Sequence, residues 1–132
     1  MKVARQIIAE KHPDYIADFD GFMRRRSAWL FNMMIMPRDL INSYCSWLFS
    51  VLFELEKQID TSNMTLFEKR YVGRVSERLF NVWLNHQIRI GIIRKNEVKE
   101  LPYIYLEKIN WCKKCTGFLK AKFFNKKYES SF

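Results

Sequence analysis

The sequence predicts a mostly α-helical chain with two or three short strands. Glycine and proline are scarce, 4 and 3 in 132 residues, which disfavours an architecture of many turns. Two long segments, Arg38 to Lys57 and Thr65 to about Asn85, carry polar residues at helical spacing. Hydrophobic residues reach 48% and aromatics 16%, so there is ample apolar surface for a core, and the chain is not of the disordered class.

Val3 to Lys11 reads as a short helix ended near Pro13, and Asp14 to Met23 as another, begun by a capping aspartate. Arg24, Arg25 and Arg26 mark a loop. Trp29 to Met36 is a run of large apolar residues broken by Asn32, and its length suits a buried strand. Pro37 closes that run and fits the first turn of a following helix. On Arg38 to Lys57 the polar residues Asp39, Ser43, Ser46, Ser50, Glu54 and Lys57 form one narrow seam, which implies burial on most other sides.

Asp60, Thr61 and Ser62 make the next loop, and Thr65 caps the second long helix. There Val72, Val75, Leu79, Val82 and Trp83 form the core stripe. Glu77 falls on the opposite face with Arg70, Gly73, Asn81 and Leu84, so this helix is expected to have something to cover on both sides. Beyond Pro102, Tyr103 to Leu106 reads as an edge strand. Lys108 to Phe124 can form an amphipathic helix with Trp111, Phe118, Leu119, Phe123 and Phe124 among lysines. The domain division expected is 1–107 for the folded portion and 108–132 for a basic aromatic tail.

The net charge of +9 is concentrated late. Residues 1–90 hold 13 Lys/Arg against 10 Asp/Glu, and residues 91–132 hold 10 against 4. Such a tail suits anionic lipid, nucleic acid or solubility, and charge alone does not choose among them. No helix shows a continuous basic face, which counts against a nucleic-acid-binding role, the alternative drawn from net charge. Cys45, Cys112 and Cys115 are odd in number and follow no secretory signal, so a reducing, cytoplasmic compartment is expected. The most apolar run, Tyr44 to Phe53, is too short for the ~20 residues of a spanning helix.

Several patterns resemble chemical motifs. Asp18-Phe19-Asp20 has the spacing with which carboxylates hold a divalent metal, but it sits in a helical segment, where solvated charges are the simpler account. Cys112 and Cys115 lack the further ligands of a zinc site, and His12 and His86 read as surface residues. Arg70, Gly73, Glu77 and Arg78 could be an exposed helix ion pair. Placed in a cleft, the same groups could activate a hydroxyl and bind phosphate or a sugar acid.

Three ordered segments carry a family resemblance: Phe31-Asn32-Met33-Met34-Ile35-Met36, Tyr44 to Glu56, and Gly73-Arg74-Val75-Ser76-Glu77-Arg78-Leu79-Phe80-Asn81-Val82-Trp83-Leu84. Weaker support comes from His12-Pro13-Asp14-Tyr15 and Glu100-Leu101-Pro102. Together they resemble the bacterial family called domain of unknown function 4422, glycosyltransferases of capsular and exopolysaccharide synthesis. The resemblance implies an α/β fold of the GT-A type, with this chain similar to its C-terminal part. The opening strands of the nucleotide fold have no counterpart here, so a truncated enzyme, or one completed by a separate N-terminal half, is expected, with a noncatalytic partner that completes another chain's domain as an alternative.

The same resemblance implies a nucleotide-sugar donor, a UDP-sugar in particular, and a glycan or lipid-linked oligosaccharide acceptor. A divalent metal is compatible with it, although no ligands stand out. Asn32 becomes a candidate contact to the donor sugar, Glu77 the acceptor base or hydroxyl anchor, and Arg70 and Arg78 binders of anionic groups. An anionic membrane surface on the cytoplasmic side would meet Trp111, Lys113, Lys114, Phe118, Lys120 and Lys122.

Overall fold

The computed structural model describes residues 1–30, 33–65, 67–102, 115 and 116. The chain divides into two compact units, 1–98 and 99–132. Of the second unit, Cys115 and Thr116 are helical and exposed. The first unit is built from four helices: α1 (Lys2–Lys11), α2 (Ile16–Met23), α3 (Arg38–Gln58) and α4 (Tyr71–Arg89). Helix α1 packs on α3, α2 on α4, and the two long helices on each other.

Each helix begins and ends where backbone chemistry dictates. His12 closes α1 with its N–H on the Ile8 carbonyl at 2.8 Å. Pro13 opens a 3₁₀ turn, Pro13–Tyr15, because it needs no N–H partner there. Pro37 stands at the N-cap of α3, where its carbonyl accepts from the Ile41 N–H at 3.1 Å. Thr65 and Glu68 exchange reciprocal hydrogen bonds, a capping box that opens a 3₁₀ turn, Glu68–Arg70, before α4. Helix α4 runs to Arg89, four residues past the expected end, and stops in a Schellman arrangement. The Ile92 N–H reaches the Gln87 carbonyl at 3.0 Å and the Gly91 N–H the Ile88 carbonyl at 3.2 Å. Gly91 has φ +81°, a conformation that costs a residue with a Cβ about 1 kcal/mol or more.

The core lies where α3 and α4 meet beneath α1. Ile7 and Ile8 from α1, Val51 and Leu55 from α3, and Leu79, Val82 and Trp83 from α4 are almost wholly removed from solvent. A fully buried side chain of this size contributes about 1.5 to 3 kcal/mol through lost apolar hydration. Tyr44 of α3 sets its ring edge-on to Phe80 at 5.5 Å and tilted against Trp83 at 5.3 Å.

Two expectations are corrected. Trp29 to Met36 was expected as a buried strand, yet no described residue lies in a strand, and Met33 and Ile35 are exposed. A strand needs a neighbour to take its backbone hydrogen bonds, and none of the described residues supplies one. The expected strand Tyr103 to Leu106 lies outside the described residues. Among the described residues the fold is therefore helical, without the two or three short strands expected.

Helix α3 is also less enclosed than its single polar seam suggested. Phe49 and Phe53 stack on each other with ring centroids 5.5 Å apart and stay largely exposed. The opposite face of α4, in contrast, is covered in its later turns, while Gly73 is exposed and Glu77 half-buried. Phe80, Asn81 and Leu84 are all buried, and Asn81 meets the extended chain at Trp29.

The Tyr44 hydroxyl is buried with no hydrogen-bond partner among the described residues, and burial pushes its pKa up to about 12, with a lesser contribution from Cys45. An unpaired buried hydroxyl costs about 1 to 3 kcal/mol. Tyr44→Phe is therefore expected to keep or raise the urea midpoint; a fall in stability of more than about 1 kcal/mol would reveal a partner for the hydroxyl.

Candidate functional site

The first turns of α4 bring together most of the polar residues singled out in that segment. Phe67, Arg70, Gly73, Arg74 and Glu77 line a shallow, open depression of about 430 Å³. Helical spacing produces this grouping, since residues three and four apart share a face. The Arg74 guanidinium lies 4.0 Å from the Phe67 ring centroid and donates to the Phe67 carbonyl at 3.2 Å. That contact is a cation–π arrangement which holds the positive charge at the rim. Gly73 leaves the middle of the face open, because a Cβ built there would meet nothing within 4 Å.

Glu77 is half-buried and Arg70 is exposed. The Glu77 backbone is the better fixed part: its carbonyl accepts from Asn81 Nδ2 at 2.9 Å. The same nitrogen donates to the Trp29 carbonyl at 2.8 Å, while Asn81 Oδ1 accepts the Trp29 N–H at 2.9 Å. A buried amide thus takes both main-chain groups of Trp29, as a neighbouring strand would, and ties the 24–30 segment to the turn of α4 that carries Glu77.

Not every candidate joins this group. Arg78 is exposed and does not line the depression, being one residue and thus about a quarter-turn away from Glu77. Asn32, Trp111, Lys113, Lys114, Phe118, Lys120 and Lys122 lie outside the described residues. Cys45 and Cys115 are free thiols, and Cys112 also lies outside the described residues. No group of three or more His, Cys, Asp or Glu among the described residues is placed to hold a metal ion.

Asp18 and Asp20 each have cationic partners. Arg5 binds Asp20 through two hydrogen bonds of 2.8 and 2.7 Å, and this pairing draws the carboxyl below the usual range. The Asp18 side chain is buried, contrary to its reading as a solvated charge, and so is that of His86, read as a surface residue. Their side chains are 8% and 7% exposed, with His86 Nδ1 2.9 Å from Asp18 Oδ2. The carboxylate can only accept, so Nδ1 carries the proton in this pair. Arg89 also reaches Asp18, at 3.0 Å. Its close approach to Nδ1 is then proximity between two donors around one carboxylate.

Tyr15 extends this buried group across the fold. Its ring stacks with His86 at 3.6 Å and with Trp47 at 4.8 Å, and Gln87 Nε2 donates to its hydroxyl at 3.1 Å. His12 Nε2 meets Ser50 Oγ at 2.7 Å while the Ser50 hydroxyl donates to the Trp47 carbonyl at 2.7 Å. Ser50 is therefore the acceptor toward His12, and the pair is a structural contact with no activated nucleophile. The signal for these residues was present in His12-Pro13-Asp14-Tyr15, but pairing across 68 residues, as between Asp18 and His86, leaves no spacing to read.

Burial holds the His12 pKa below its ordinary value of 6.5, and Lys11 adds to the effect. Between the folded and unfolded pKa values the unfolded chain binds a proton that the fold does not, so stability falls as pH drops below about 6.5. His12→Gln removes that titration. The difference in Tm between the native chain and His12→Gln should narrow from about pH 7.5 to about pH 5.5; a constant difference would exclude His12 as the source.

Comparison with known proteins bears on family alone. No curated protein and no solved structure matches the chain. A family model described as "Domain of unknown function (DUF4422)" matches residues 1–88. That stretch holds all four helices but for the last residue of α4, together with the Asn81 anchor and the depression around Glu77. With two thirds of its length so matched, the chain belongs to the family of this domain.

Proposed function

We propose that this chain forms the acceptor-side part of a glycosyltransferase-like domain, with the depression at the start of α4 as the acceptor site. The observation that carries the reading is the grouping of Glu77 with Arg70 and Arg74 around one open surface. Membership of the family and the glycosyltransferase association of that family support it. The donor is a nucleotide sugar, a UDP-sugar in particular, and the acceptor a glycan or lipid-linked oligosaccharide of capsule, exopolysaccharide or O-antigen synthesis.

The chemistry follows from the residue types. The Glu77 carboxylate has no ion-pair or hydrogen-bond partner among the described residues, so it is available to a hydroxyl. It accepts the hydroxyl proton as the acceptor oxygen attacks the anomeric carbon of the donor. The bond from that carbon to the nucleotide diphosphate breaks, and the diphosphate leaves with the electron pair. Arg70 and Arg74 hold an anionic group of the acceptor, with Arg78 outside this contact set, and Asn32 remains the candidate contact to the donor sugar. A positioned base contributes about 10²- to 10⁴-fold to such a step.

Glu77→Gln keeps the size and the hydrogen-bonding reach of the side chain but removes the base. In the assembled enzyme, with a UDP-sugar donor and a lipid-linked glycan acceptor, transfer should fall by about 10²-fold or more while the circular dichroism and Tm stay unchanged. Undiminished turnover would remove Glu77 from the mechanism.

The location proposed is the cytoplasmic face of a membrane, with the basic aromatic segment 108–132 at an anionic surface. No described helix is long and apolar enough to cross a membrane. Apolar side chains among lysines combine burial at the headgroup boundary with attraction to anionic lipid. Flotation with anionic vesicles should be lost on deleting 108–132 and weakened by salt; flotation unchanged by the deletion would exclude this segment as the anchor.

A further inference from the structure

Three arginines follow one ridge at the start of α4. Arg70, Arg74 and Arg78 are spaced four residues apart, and all three are exposed. Residues at this spacing are neighbours along a helix surface. At about 1.5 Å of rise per residue, the outer two stand about 12 Å apart along the axis. That separation exceeds the length of one sugar ring. Glu77 lies beside the ridge, between Arg74 and Arg78 along the axis.

These charges do not neutralise one another. Arg74 is committed to the Phe67 ring and carbonyl, at 4.0 and 3.2 Å. The side chains of Arg70, Arg78 and Glu77 have no ion-pair or hydrogen-bond partner among the described residues. Glu68 is taken up by Thr65, whose N–H and hydroxyl donate to it at 3.0 and 2.9 Å. Glu56 of α3 pairs with none of the three arginines. The strip also has an end. Asn81, one turn past Glu77, is occupied by the main chain of Trp29, and Asn85 accepts from Arg25 Nη1 at 3.2 Å. Residues 24–30, which cover that part of the face, contain no acidic side chain.

We infer that the acceptor is an acidic glycan of several sugars, lying along α4 with anionic groups on separate sugars at Arg70 and Arg78 and a neutral sugar between them. This rests on the acceptor-site reading and narrows the class of acceptor. A single sugar acid is too short to reach both outer arginines. Guanidinium groups suit carboxylate and phosphate, with which they form charge-assisted hydrogen bonds. The Glu77 carboxylate can only accept, so it suits the hydroxyls of the neutral sugar. It also discriminates against a nucleic acid, which is charged at every unit and would set a phosphate against a carboxylate. Arg78, which does not line the depression, thereby gains a partner beyond it.

The test titrates the isotope-labelled full chain with a hyaluronan tetrasaccharide, in which glucuronic acid alternates with a neutral N-acetylated sugar. Amide shifts should concentrate on residues 70–81, and binding should weaken with salt. Arg70→Gln and Arg78→Gln should each weaken it by about fivefold or more at unchanged circular dichroism, and neutral chitotetraose should bind more weakly by at least about as much. Glucuronic acid alone should be indifferent to Arg78→Gln. Equal binding of chitotetraose, or no effect of Arg78→Gln on the tetrasaccharide, would overturn the acidic acceptor. Neither result bears on Glu77→Gln in the transfer assay, which tests the acceptor-site reading by itself. Shifts confined to 108–132 would overturn the proposal by assigning the glycan to the basic tail. Equal shifts on α4 with an oligothymidylate would overturn it by assigning the face to nucleic acid.

Discussion

The buried pairing of Asp18 with His86 is the constraint on which the arrangement of helices depends. Taking a carboxylate out of water is costly, and the cost is recovered only with well-placed partners. Here the partners are His86 and Arg89, one turn of α4. Helix α2 is consequently held in one register along α4, because sliding by a turn would leave a buried charge unmatched. The stack of Tyr15 with both His86 and Trp47 then extends the constraint to α3. Through His12 and Ser50 it reaches the end of α1. Four helices that apolar packing alone would let slip are joined at their shared junction by groups that tolerate one geometry.

Helix positions were legible in the sequence because they rest on local periodicity. The stripes of α3 and α4 predict which residues are buried, and Val51, Leu79, Val82 and Trp83 are so found. The end of α4 was placed early, at about Asn85, short of the glycine that terminates it. Only glycine readily adopts the positive φ of the terminating turn, and Gly91 stood six residues further on. The buried histidine was not legible. His86 looks like any polar residue until Asp18, on a different helix, is placed beside it.

The strand expected at Trp29 to Met36 failed for an instructive reason. The run is apolar and of strand length, and the alternating exposure of 33–36 is what remains of that preference. A strand, unlike a helix, cannot satisfy its own backbone, so the preference becomes a sheet only when another strand is alongside. Asn81 supplies the nearest substitute by binding both main-chain groups of Trp29. One side-chain amide replaces a neighbour for a single residue and no more. The grouping of Arg70, Gly73 and Glu77 was legible from helical spacing, whereas Arg74 over Phe67 required the fold of the 3₁₀ turn.

Asn81 also joins the backbone that carries Glu77 to the extended segment at Trp29. Its amide nitrogen donates to the carbonyl of Glu77 and to that of Trp29, at 2.9 and 2.8 Å. A displacement of the Trp29 segment therefore bears directly on the backbone that carries Glu77. Buried polar groups of this kind leave little slack, since losing one partner costs about 1 to 3 kcal/mol.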